Sequence, residues 1–383
     1  MRKKRSSPGT GLLVLEFILF LLMFLLPAVR EGDPRFYGLA VVFPGFLLVS
    51  GLLFPALLKT DRTLLSLAHF LAGLFLLTTV LISPDLLLSR VLALAAGYVG
   101  LILCQGFSRG IPETMPLSAA AALAALLALA LPLIPGLSLH TGLPACGLLL
   151  VSLSVLLVRR RLLAAVLILL PALVLLLLQS DWASALCLAL TVSLLAWTSS
   201  GSWLILLASL LLFGGSLWGV ISLLPRLNPA SLPFISPQIT SAALSGGLFG
   251  TGPGLGSVLE ASDLSSVLPL AAVAEQFGSV FLCCMILLFT ALLLRGVSVA
   301  SAARKGAPAL QAMGIVLFLG LQGALALAAC LGLVPLTVSG FPLLSPDFLS
   351  EAAALSMVGI LAGIECRNRA DLEEDSHLAM LAH

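Results

Sequence analysis

The chain has 383 residues, of which 60% are hydrophobic and only 9% charged, with a formal net charge of +2 and a mean hydropathy of +1.18. An average soluble domain carries roughly 25% charged residues, so a water-soluble globule is excluded, because no core could hide this much apolar surface. The net charge says nothing about partners, and no nucleic-acid partner is expected; what matters in such a chain is where the cations lie.

Apolar runs approaching the about 20 residues that span a bilayer recur from the start. Arg2-Lys3-Lys4-Arg5 precede the run Gly11–Leu26. No small-residue cleavage site follows, so the run reads as a first helix with its amino end in the cytoplasm. Glu16 lies inside it, where an ionisable side chain is either functional or reaches a neighbour or the interface. Further windows fall at 37–58, 64–82, 88–107, 116–134, 143–158, 162–178, 182–197, 203–224, 268–294, 309–334 and 351–365. With the first they make twelve, and an even number places both termini on one side. Cytoplasmic segments then carry 15 of the 19 lysines and arginines, against Arg30, Arg35, Arg90 and Arg226 outside. That is the bias of the positive-inside rule. Arg159-Arg160-Arg161 divides 143–158 from 162–178, which predicts two short helices meeting at a cytoplasmic turn. Pro44, Pro55, Pro132 and Pro171 each threaten a kink. The expected fold is therefore an all-α polytopic membrane protein of about twelve transmembrane helices, with both termini cytoplasmic.

This topology exports 225–267 to the outer face, with shorter outward turns at Gln179–Asp181 and Pro335–Ser350. The outer side thereby receives Asp181, Glu260, Asp263 and Asp347. Pro237–Gly278 is the longest interruption and holds the dense cluster Gly246, Gly247, Gly250, Gly252, Gly254 and Gly256. So many glycines expose peptide groups that need partners, which places the segment in water, at the interface or against other protein. Glu275, at the outer end of its span, is costly unless paired or wetted, with Arg226 a possible partner. Arg226 could equally anchor a helix end at the headgroups. Asp181 stands where an acid caps a helix. The seven cysteines include no CxxC pair, and His69 and His140 have no acidic or Cys partner at ligand spacing, so spacing predicts no metal site. There is no GxxxxGK[ST] phosphate loop either.

Four blocks in order resemble one family. Ser245–Gly256, SGGLFGTGPGLG, preceded by Arg226 and Gln238, is similar to the large outer loop of the shape, elongation, division and sporulation (SEDS) polymerases, the FtsW/RodA/SpoVE group. Gln179–Ala185, QSDWASA, is similar to that family's Gln-Pro-Asp-Leu-Gly-Thr-Ala, and Pro335–Ser345, PLTVSGFPLLS, to its Pro-x-Thr-Gly-x-x-Leu-Pro-Phe-x-Ser. Ala274–Gly278, AEQFG, resembles its (Ala/Gly)-Glu-Glu-(Leu/Phe)-Gly. The resemblance covers roughly residues 64–367, leaving 1–63 as an extension of two helices before a ten-helix core and 368–383 as a cytoplasmic tail.

What the resemblance implies is a multi-pass protein of the bacterial plasma membrane that polymerises undecaprenyl-linked lipid II outside it, beside a class B penicillin-binding protein. An outward aspartate would take the acceptor's proton in an inverting glycosyl transfer, while basic groups, or a divalent cation such as Mg or Mn, hold the pyrophosphate. Carried onto this chain, the substrate residues are Arg226, Gln238, Gly246, Gly247, Gly250, Gly252, Glu275, Asp181 and Ser345. The departures are as informative. The family's His/Ser-Thr/x-Asp-Phe step lies eight residues before the first Glu of the pair, a position held here by Val267, while the nearest acid is Asp263. Either four residues are inserted and Asp263 is the catalytic base, or the base is lost. Ser345–Ser350, SPDFLS, replaces Ser-Tyr-Gly-Gly-Ser-Ser, the Pro-Ser-Glu step is at best Pro144-Ala145-Cys146, and the early Arg-Arg-Trp pattern has no counterpart. Three functions compete: a lipid II polymerase, a scaffold of the same fold that partners a transpeptidase or holds precursor, and a flippase. The last should carry several ionisable groups at mid-membrane depth.

Overall fold

The computed structural model of the protein describes residues 9–32, 34–58, 62–82, 86–110, 114–134, 139–212, 215, 241, 244–253, 255–256, 268–304, 306–333, 340–345 and 347–381. Each of the twelve apolar windows holds a helix among the described residues, which in the window 203–224 are 203–212 and 215. These are α1 (Gly9–Glu31), α2 (Pro34–Leu58), α3 (Arg62–Ile82), α4 (Leu87–Gly110), α5 (Met115–Ala130), α6 (Gly142–Val158), α7 (Leu162–Leu178), α8 (Trp182–Ser200), α9 (Trp203–Leu212), α10 (Leu268–Ala302), α11 (Gly306–Cys330) and α12 (Phe348–Leu381). Seven are long and apolar enough to cross a membrane, and five are shorter apolar helices. The protein is an all-α polytopic membrane protein.

The arginine triplet behaves as a turn. α6 stops at Val158, Arg160 adopts φ 55°, and α7 starts at Leu162. Pro132 has the opposite effect, ending α5 in a single 3-10 turn. Having no N–H, it leaves the Ala128 carbonyl without its i+4 donor. The Thr141 hydroxyl donates to that oxygen at 2.7 Å, and the Gln179 amide donates to the Leu129 carbonyl at 2.6 Å. The outer ends of α5, α6 and α7 are tied together in this way. Pro44 and Pro55 lie within α2, and Pro171 within α7.

The helix pair that positions the site is α4 with α12, which pack along each other. Their seam is made of small residues. A side chain at Gly97 would strike Leu355, at Gly100 Ser356, at Gly359 the Leu101 backbone and at Gly363 the Gln105 backbone. Without a hydrophobic drive inside lipid, such close backbone approach is what holds helices together. The register, 97 beside 355 and 101 beside 359, makes the two helices parallel, so both amino ends emerge on the same face, the outer one in the expected topology. At the inner end the Arg295 and Arg369 guanidiniums both donate to Glu365 Oε1, at 2.8 and 2.6 Å. There α12 continues as helix through the segment expected as a tail.

The N-terminal pair α1–α2 rests on α3. Phe20 packs its ring against Phe24, Phe43 and Phe70, and Gly73 leaves the space that the Phe20 ring fills. Glu16 is buried within this packing and accepts a hydrogen bond from the Ser66 hydroxyl at 3.0 Å.

Candidate functional site

Two assemblies carry the polar chemistry at the outer ends of the helices. The first is built from backbone. α10 is broken at Gly278 (φ 83°, ψ 171°), which leaves the last carbonyls of one half and the first N–H groups of the other without helical partners. The glycine loop supplies both sets. The Thr251 and Gly252 N–H groups donate to the Glu275 and Gln276 carbonyls at 2.9 and 3.1 Å, while the Ser279 and Val280 N–H groups donate to the Gly247 and Leu248 carbonyls at 2.9 and 3.3 Å. The Thr251 hydroxyl adds a bond to the Glu275 carbonyl at 3.2 Å. This dock needs glycine for space. A side chain at Gly246 would enter the Ala274 carbonyl, one at Gly250 the Gln276 carbonyl, and one at Gly278 the Gly250 backbone.

The depth of the dock follows from length. Ser279–Ala302, at about 1.5 Å per residue, is roughly 36 Å long, enough to cross the about 30 Å hydrocarbon core alone. The break therefore sits at one end of a segment long enough to span the membrane. Of the residues predicted from sequence, Gly246, Gly247, Gly250, Gly252 and Glu275 are brought together here. Glu275 is buried, with its carboxylate against Gly256. Leu248 and Phe249 at the loop tip are exposed.

The second assembly is built from side chains, around the outer ends of α4 and α12. The Asp347 backbone carbonyl accepts the Glu351 N–H at 3.0 Å, and the Asp347 N–H donates to the Ser345 hydroxyl at 3.4 Å. The Ser345 N–H in turn donates to Glu351 Oε2 at 3.4 Å. Arg90, half-buried near the start of α4, lies within electrostatic reach of both Asp347 and Glu351 and has its guanidinium 5.9 Å from the centre of the Phe75 ring. His140 Nδ1 is 3.5 Å from Asp347 Oδ1. Two carboxylates thus stand within reach of one arginine, and one of them, Asp347, also meets His140, at the amino ends of parallel helices, where the helix dipole favours negative charge.

Sequence reasoning reached Ser345 but not the residues around it. Arg90 counted only as an outer cation and His140 as an isolated histidine. The available signal was Asp347 and Glu351 at i and i+4, one face of a helix start. Asp181 proves to be a helix cap: its Oδ1 accepts the Ser184 N–H at 3.2 Å at the start of α8, and Gly142 gives its carboxylate room. Arg226, Gln238 and Asp263 lie outside the described residues. An apolar cavity of about 270 Å³ lined by Cys104, Phe107, Leu117 and Ser118 sits toward the inner ends of α4 and α5, away from both assemblies.

The sequence profile of the FtsW/RodA/SpoVE family, described as cell cycle proteins, matches residues 154–370, more than half of the chain. This chain belongs to that family. Among curated relatives, the probable peptidoglycan glycosyltransferase FtsW of Halothiobacillus neapolitanus is 29% identical over 210 residues, 49% of each chain. The peptidoglycan glycosyltransferase RodA of Mycobacterium tuberculosis is 32% identical over 140 residues, 34% of this chain and 30% of the relative. The matches span about half or less of those relatives' own length. In structure, a variant of the rod shape determining protein RodA of Thermus thermophilus aligns over 80% of this chain and 97% of its own, with a TM-score of 0.62 and 25% identity. A chain from a peptidoglycan synthase complex aligns over 81% and 98%, with a TM-score of 0.64 and 24% identity, a likeness of fold. Both solved chains are covered almost whole, while about a fifth of this one is left over.

Proposed function

We propose that this FtsW/RodA/SpoVE protein is a peptidoglycan glycosyltransferase that polymerises undecaprenyl-linked lipid II on the outer face of the bacterial plasma membrane, beside a class B penicillin-binding protein. The observation that carries the reading is the dock between Gly246–Gly252 and the broken helix at Glu275–Gly278. Two sequence blocks that separately resemble the family are there joined, bond by bond, into one outer platform. Relatives named as peptidoglycan glycosyltransferases support the same reaction class.

An inverting transfer at the anomeric carbon needs a carboxylate to accept the attacking hydroxyl's proton and a cationic group to meet the pyrophosphate as it leaves. Of the outward acids Asp181, Glu260, Asp263 and Asp347, the first caps α8, and Asp263 on the large loop is the one the resemblance points to for the first role, with Arg90 and Arg226 as outward cations for the second. The described donor set does not suit a divalent cation. No three His, Cys, Asp or Glu side chains among the described residues converge as ligands, and Asp347 and Glu351 already face Arg90, so no step is routed through a metal. A second reading, a non-catalytic scaffold for a transpeptidase, is favoured by Val267, which stands where the family's Asp-Phe step is expected.

One assay separates the two. Labelled lipid II is incubated with the purified chain, alone and with a class B penicillin-binding protein, and the products are resolved by size. The enzyme gives glycan polymer; absence of polymer with every partner supports the scaffold.

A further inference from the structure

We propose that Glu16, His69 and Tyr98 hold a water molecule inside the membrane, and that this water joins the N-terminal pair α1–α2 to α3 and α4, whatever the chemistry at the outer face. Three polar atoms carry the inference. Glu16 Oε1, His69 Nδ1 and the Tyr98 hydroxyl are buried with no hydrogen-bond partner among the described residues, on residues only 5%, 0% and 5% exposed. The rest of each group is already engaged. Glu16 Oε2 accepts the Ser66 hydroxyl at 3.0 Å. The Ser50 hydroxyl donates to the Leu47 carbonyl at 3.1 Å, so its lone pairs are left to accept the Nε2–H of His69 at 3.4 Å. That bond makes Nδ1 the acceptor of the ring. The Tyr98 ring lies 5.4 Å from the His69 ring and meets Phe46 of α2 edge-on at 5.1 Å. Ser66 and His69 are one turn apart on α3 and share a face, so the three open atoms, each from a different helix, gather around that turn.

Depth decides what can meet them. Glu16, Ser50 and His69 lie about 10–12 Å along α1, α2 and α3 from the ends Gly9, Leu58 and Arg62. All three ends are on one side of the membrane, so the cluster sits within the about 30 Å hydrocarbon core, where lipid tails supply no hydrogen bond. Polar groups left open there are costly. The open valences are two acceptors and one hydroxyl, and a water fits them: it donates to Glu16 Oε1 and to His69 Nδ1 and accepts from Tyr98, the about three bonds that a buried water makes. An anionic ligand would be repelled by Glu16. A hard cation calls for six or so oxygen ligands, whereas one carboxylate oxygen, one phenol and one ring nitrogen are on offer. The bridge explains why an acid is carried on an otherwise apolar first helix. Its Oε2 bonds α3 directly, and its Oε1 reaches α3 and α4 through the water.

The test is X-ray hydroxyl-radical footprinting of the full chain in lipid nanodiscs, with oxidised residues mapped by mass spectrometry. Radicals form from water, so a buried ring is oxidised where it touches a bound water and spared where its surroundings are dry. The internal control is Phe20, a fully buried ring packed among Phe24, Phe43 and Phe70. Tyr98 is expected to be oxidised at least about tenfold faster than Phe20. Glu16→Gln, which keeps an oxygen acceptor, should retain that rate. Glu16→Leu combined with His69→Leu removes both acceptors and should bring Tyr98 down about tenfold, to the level of Phe20, without unfolding the chain, because apolar groups in place of both acceptors leave less unmet. Oxidation of Tyr98 in the parent no faster than that of Phe20 means a dry site and overturns the proposal. So does a double variant that melts like the parent yet is oxidised at Tyr98 at the parental rate. None of these outcomes depends on polymerisation, so the proposed function stands or falls separately.

Discussion

The glycine loop and the α4–α12 corner both present polar groups at the outer ends of the helices, yet they are made of different material. In the loop, peptide groups do the work and side chains are absent because there is no room for them. Four backbone bonds span the break at Gly278, and three glycines sit where a side chain would enter a neighbouring backbone. At the corner the backbone only holds, while the side chains of Arg90, His140, Asp347 and Glu351 supply the polar groups. The loop is therefore the rigid part, intolerant of size, and the corner is the chemical part, sensitive to charge and tolerant of shape.

Substitutions can break that contrast. The largest effect is expected at Gly250, which combines φ 82° with a backbone carbonyl in the space of a side chain. Gly250→Ala should cost about 4 kcal/mol or more, seen as a large fall in the melting temperature of the detergent-solubilised chain. Gly247 has φ 59° but open space around it, so Gly247→Ala should cost only the about 1–2 kcal/mol of a left-handed backbone. Equal losses at the two positions would mean that the dock is not what holds the loop.

A smaller effect is expected at the corner. Arg90→Met leaves Asp347 and Glu351 without their cation, which costs about 3–5 kcal/mol in a fully buried pair and about 2 kcal/mol here, because Arg90 is half-buried. Adding Glu351→Gln to that variant should recover part of the loss, since the uncompensated buried charge is then gone. A double variant that melts no higher than Arg90→Met would show that the charges are not coupled. Smallest is Asp181→Ala, which removes the cap of α8 for about 1 kcal/mol, most of it returned by Asp181→Asn.

The same contrast explains what the sequence could and could not tell. Among the described residues every apolar window carries a helix because lipid leaves the backbone few alternatives, and three charged residues in a row were enough to place the turn at Arg159–Arg161. The glycine block was legible too, since only glycine permits the approach it makes. The break at Gly278 was not: AEQFG lies inside an unbroken apolar run, and what divides the helix is a loop beginning some thirty residues earlier in the chain. The corner was hidden for a related reason. Arg90, His140 and Asp347 are far apart in sequence, and only the parallel seam of Gly97, Gly100, Gly359 and Gly363 brings α4 and α12 together. For Asp181, by contrast, capping was foreseen, because an acid just before a helix has a local partner.

The whole account requires the glycine loop to face the cell exterior while the arginine turn faces the cytoplasm. The direct measurement is labelling of intact cells with a membrane-impermeant thiol reagent, using Leu248→Cys at the exposed loop tip and Arg160→Cys at the turn, each in a background lacking the native cysteines. The account predicts that Leu248→Cys is labelled in intact cells and Arg160→Cys only after the membrane is opened. The reverse pattern would contradict it.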